Sequence, residues 1–119
     1  MIRLDVIVAD KNTTDRIANP TNNAIELASF YKEKMSEAAA AKSELLCFEG
    51  IEFAEKRSVN FQNINIIEKC IMDFLYENEF PKKVCIVCDT EEKAELYKVV
   101  YNFYYPETED EKLEHNLWN

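Results

Sequence analysis

The chain of 119 residues contains one glycine, Gly50, and one histidine, His115. A phosphate loop of the Walker or dinucleotide type needs several glycines, for positive φ angles and for close approach of backbone to phosphate, so neither type is present. One histidine disfavours a histidine-built metal centre or a catalytic triad. No apolar run approaches the roughly 18 residues of a membrane span, and Met1-Ile2-Arg3-Leu4-Asp5 lacks the charged-then-apolar layout of a signal peptide. These absences point to a cytoplasmic protein without a membrane partner. Cations are scarce too: 14 Lys and Arg stand against 23 Asp and Glu, for a net charge of −9. Such a chain repels phosphate backbones, and nucleic acid is not an expected partner.

What is present suits one globular domain. Apolar residues make up 47% of the chain and aromatics 12%, enough to bury a core. Cys47, Cys70, Cys85 and Cys88 sit in apolar stretches, which fits reduced, packed thiols better than a disulfide framework. Cys85-Ile86-Val87-Cys88 has C-x-x-C spacing, but on a strand the two thiols point to opposite faces, unlike a redox pair at a helix start.

Strand and helix patterns alternate. Leu4 to Ala9 is a β-branched run that ends in a polar turn. Ala24, Leu27, Ala28, Tyr31, Met35 and Ala38 recur at helical spacing, which predicts a helix to about Lys42. Leu45-Leu46-Cys47-Phe48 reads as a short strand and residues 49–61 as a loop. A second helix is expected from Asn63–Asn65, with Asn65 and Glu68 in capping-box spacing and Ile64, Ile67, Ile71, Phe74 and Leu75 as its stripe, ending before Pro81. Val84 to Cys88, apolar without alternation, has the pattern of a central parallel strand. A third helix opens at Thr90-Glu91-Glu92 and runs to Pro106. The β-α-β-α-β-α order predicts a three-layer α/β/α sandwich on a mostly parallel sheet over residues 1–106, followed by an acidic tail or short helix over 107–119.

Val6-Ile7-Val8-Ala9-Asp10-Lys11, then Asp15-Arg16-Ile17-Ala18-Asn19-Pro20-Thr21-Asn22, resembles the N-terminal signature of the macro domain, the ADP-ribose-binding α/β/α module. The rhythm of elements from Ala39 to Tyr104 also looks like that family. The resemblance implies that Asp10 stands where the family holds the adenine amino group and Asn22 where an asparagine approaches the distal ribose. It departs at the phosphate loops: Glu52-Phe53-Ala54-Glu55-Lys56-Arg57-Ser58-Val59 replaces a glycine-rich segment and carries acids. The expectation is therefore a reduced, non-catalytic macro-like domain in which ADP-ribose or nucleotide binding is weak or lost.

Lys56 and Arg57 are the cations of that loop and the candidate receivers of an anion. Tyr101, Phe103 and Tyr105, with Trp118 in the tail, form a candidate interface for a homodimer or a protein partner, because aromatics favour interface cores. With no nucleophile–base pair, metal cluster or complete phosphate cradle, no catalytic residue, metal or cofactor is assigned.

Overall fold

A computed structural model describes residues 3–9, 16–18 and 23–104. In chain order they form β1 (Leu4–Val8), α1 (Ala24–Ala40), β2 (Leu45–Glu49), α2 (Arg57–Glu77), β3 (Lys83–Cys88) and α3 (Glu91–Tyr104). The mixed α/β class with a parallel sheet stands as the residue pattern predicts. The sheet order is β1-β3-β2, and both pairings are parallel. The uninterrupted apolar run does occupy the centre, where both neighbours bond it and residues 84 to 88 are all buried.

An isolated bridge continues the sheet beyond β2. The Ile17 N–H donates to the Cys47 carbonyl at 3.0 Å, and the Glu49 N–H donates to the Ile17 carbonyl at 2.9 Å. The chain therefore steps from Ile17 through α1 to β2, and through α2 to β3, in one direction across the sheet. Crossovers of one hand that step in one direction put their helices on one face. Leu27, Tyr31 and Met35 of α1, Ile64, Ile67 and Ile71 of α2, and Tyr97 and Val100 of α3 accordingly share a core with Leu4, Phe48, Val84, Ile86 and Cys88 of the sheet. Among the described residues, then, the expected sandwich consists of one helical layer on one sheet layer. The other sheet face carries Asp5, Cys85 and Cys47 in one register row and Ile7, Val87 and Glu49 in the next.

Helix boundaries follow local chemistry. Asn23 caps α1, its Oδ1 accepting from the Ile25 and Glu26 N–H groups at 3.0 and 3.3 Å. That helix stops with Lys42 at φ 52°, and the Lys42 and Ser43 N–H groups donate to the Ala39 and Ala38 carbonyls. Thr90 caps α3, accepting from the Lys93 N–H at 3.3 Å. The second helix departs from expectation. It begins at Arg57, so Asn65 is not its cap and the Asn65–Glu68 box does not form; Glu68 lies mid-helix and is buried. The reason is that Asn60 and Asn63 hide polar side chains on the inner face, which masks the apolar period of the first two turns.

Arg3 closes the far end of α2. Its guanidinium donates to the carbonyls of Leu75 at 2.7 Å, Asn78 at 2.9 Å, Glu79 at 2.8 Å and Pro81, and its Nε donates to that of Lys82 at 3.0 Å. A cation thus meets the negative end of the helix dipole and carbonyls that have no partner within the helix. None of the described helices is long and apolar enough to cross a membrane.

Candidate functional site

In an open parallel sheet, ligands bind beyond the carboxyl ends of the strands, where the crossovers separate. Here that edge is built from Gly50 and Ile51 after β2, the loop to α2, Asp89 and Thr90 after β3, and the first turn of α3. Gly50 is required by close approach: a Cβ there would lie 3.0 Å from the Cys88 Sγ, and the Gly50 N–H donates to the Val87 carbonyl at 2.9 Å. The Ile51 N–H donates to the buried Tyr97 hydroxyl at 3.2 Å. Asn60 then binds the loop as a strand would, its Oδ1 accepting from the Ala54 N–H at 2.8 Å and its Nδ2 donating to the Ala54 carbonyl at 3.0 Å. A phosphate cradle presents several backbone N–H groups to one anion. The amides of residues 50, 51 and 54 are instead directed to the protein's own acceptors.

Charge at this edge is organised around Lys93. Its ammonium is mostly buried, 3.0 Å from the Asp89 carboxylate and 3.4 Å from that of Glu52, and lies 5.9 Å from the centre of the Phe53 ring. Burial works to lower the Lys93 pKa, but Asp89 and Glu52 outweigh it and hold the group above its ordinary value. The ion triplet ties the loop after β2 to the start of α3.

Beneath the edge lies a buried polar cluster. Glu68 is 1% exposed, and neither of its carboxyl oxygens has a hydrogen-bond partner. Desolvation pushes the carboxyl up to about 9, so it is neutral at pH 7. The Tyr97 hydroxyl, fully buried and within electrostatic reach of Tyr31, Cys88 and Glu68, is held well above its ordinary value, chiefly by burial. The Cys88 thiol is pushed up to about 12 for the same first reason. The cluster therefore consists of uncharged groups at neutral pH, with no ionised base or nucleophile among them. No group of three or more His, Cys, Asp or Glu among the described residues is placed to hold a metal ion.

Of the residues singled out in the sequence, Lys56, Arg57, Tyr101 and Phe103 lie among the described residues, the first two at the start of α2 and the others on α3. Asp10 and Asn22 lie outside the described residues, as do Tyr105 and Trp118. Lys56 and Arg57 are exposed at the start of α2. Tyr101 is half-buried against the core, whereas Phe103 is 70% exposed and meets the Phe61 ring edge-on at 6.1 Å. Sequence reasoning missed Asn60, Glu68, Lys93 and Arg3. Glu68 carried a legible signal: it falls inside the stripe of Ile64, Ile67 and Ile71, a position that marks a buried acid once the helix is known to start earlier. Arg3 carried none, since its five acceptors are 72 to 79 residues away in sequence. The chain matches no protein-family model and no curated protein.

Proposed function

We propose that this chain is a non-catalytic, self-associating module whose contact surface is the outer strip of α3. The observation that carries this reading is the exposure of Phe103 at 70%, with Val99 one turn earlier at 43%. Phe61 extends the strip onto α2 through its edge-on ring contact. Large apolar side chains gathered on one helix face gain more from a partner surface than from water. The macro-like alternative, in which ADP-ribose binds beyond the strand ends, has less support, because the Gly50, Ile51 and Ala54 amides already donate inside the protein.

The test is sedimentation velocity across a wide range of concentration and salt. An apolar contact between copies that each carry a net charge of −9 strengthens as salt screens their repulsion. The expected result is association that rises with concentration and with salt and is lost in Phe103→Ser, while thermal unfolding of that variant stays near that of the parent. A parent chain that stays monomeric throughout overturns the reading, and so does association that Phe103→Ser leaves intact. Calorimetry with ADP-ribose, expected to be silent, separates the two readings.

A further inference from the structure

We propose that Cys47 and Cys85 are a redox-closable dithiol, an acceptor site for small-molecule disulfides on the sheet face turned away from the helices. The C-x-x-C spacing draws attention to Cys85 and Cys88, but β3 sends those two apart. Cys88 joins the helix-facing core, while Cys85 lies outside it on the other side of the strand. The true neighbour of Cys85 comes from β2: Cys47 is its direct register partner.

In adjacent parallel strands, register partners project to the same face. Phe48 and Ile86, one residue further along each strand, both enter the core. Cys47 and Cys85 therefore both turn the opposite way. Neighbouring strands lie about 4.8 Å apart, inside the roughly 4.4–6.8 Å of Cα separation that a disulfide spans. The two side chains are close enough for Cys47 to act electrostatically on the Cys85 thiol.

The pair is asymmetric, and the asymmetry sets the order of the chemistry. Cys47 is half-buried; Cys85 is buried, and its thiol is pushed up to about 11, first by desolvation and then by Cys47 and Asp5. Cys47 therefore meets an incoming disulfide first. Its thiolate attacks one sulfur of glutathione disulfide, the S–S bond breaks, a mixed disulfide forms on Cys47 and one glutathione leaves as the thiol. Cys85 then gives up its proton and attacks the Cys47 sulfur of that mixed disulfide, releasing the second glutathione. The protein loses two electrons and two protons; one glutathione disulfide becomes two glutathione thiols. Closure joins β2 to β3 covalently across the segment that contains the whole of α2, which constrains the unfolded chain and raises resistance to denaturant.

The test treats the full chain with glutathione disulfide and reads intact mass and a non-reducing digest. The expected product has lost the mass of two hydrogens and yields a peptide cross-linked between Cys47 and Cys85. Cys85→Ser is expected to stop at one glutathione adduct on Cys47, while Cys70→Ser still closes. Three results overturn the proposal. One is a stable adduct on Cys47 of the parent chain without closure. Another is a cross-link through Cys70 or Cys88 in place of this pair. The third is an unreacted protein under conditions that oxidise a free peptide of sequence Leu45-Leu46-Cys47-Phe48. Because the readout is covalent, it is independent of whether Phe103 mediates association.

Discussion

The ends of α2 and its middle treat buried polarity in opposite ways. At the first turn Asn60 is buried with both halves of its amide bonded to Ala54, and past the last turn Arg3 gathers the free carbonyls. Between them Glu68 is equally buried, and both of its oxygens are left without partners. Each end gains order, since a satisfied amide or guanidinium fixes one geometry for its loop. The middle carries a cost, which the carboxyl limits by staying protonated.

The largest expected effect comes from that middle. In the unfolded chain Glu68 gives up its proton near 4.5, whereas the folded protein holds it up to about 9. The folded state is thus the one with the extra proton between those values. The cost of burying it is least below the unfolded pKa, and the stability of the protein falls as pH rises above that value, by about 1.4 kcal/mol per unit, amounting to about 4 kcal/mol between roughly pH 6 and 9. Urea unfolding of the parent across this range is expected to show the decline, and Glu68→Gln to flatten it. Equal slopes in the two proteins would erase the contrast between middle and ends.

Arg3 tests the far end. Arg3→Met keeps most of the aliphatic stem and removes every donor, and is expected to cost about 3 kcal/mol, since hydrogen bonds from a charged donor are stronger than neutral ones. Chemical denaturation reads the loss, and amide exchange is expected to locate it in the last turn of α2. A change below about 1 kcal/mol would mean that water replaces the guanidinium without penalty.

The near end gives a smaller effect. Asn60→Ala leaves the Ala54 N–H and carbonyl to find other partners, at an expected cost of about 2 kcal/mol in equilibrium unfolding. Asn60→Asp keeps the acceptor but not the donor, and an intermediate loss would show that both halves of the amide contribute.

The smallest change sharpens the comparison from outside α2. The end of α1 is closed by backbone alone, with Lys42 at φ 52°, where α2 is closed by a distant side chain. Lys42→Gly relieves the left-handed strain and is expected to raise stability by about 1 kcal/mol, seen as a higher melting temperature. The same exchange at a residue of ordinary φ would lower stability instead.

Much of the architecture was legible because it is local. The Leu27, Tyr31, Met35 stripe reads as α1 from spacing alone, and Val84 to Cys88 reads as a covered strand from its lack of alternation. The start of α2 was not legible, because Asn60 and Asn63 are polar yet buried, and the Ala54 loop segment that satisfies Asn60 is brought to it only by the fold. The site was less legible still. The C-terminal strand edge is where the sequence places ligand contacts, yet the amides and Lys93 there are engaged by partners that come from other elements.

Sequence alone determined what nearest neighbours decide: the three strands and three helices of the described residues, the Thr90 cap, the single glycine that a Walker or dinucleotide loop cannot be built from, and the net charge. These rest on backbone preference, periodicity and counting, which need no knowledge of distant residues. Tertiary structure alone decided which strands adjoin, that Ile17 extends the sheet beyond β2, that Cys85 stands beside Cys47 rather than with Cys88, and that Glu68 is sealed without a partner. Those outcomes depend on register and on which face each helix covers, and a shift of one residue in register reverses the direction of every side chain on a strand.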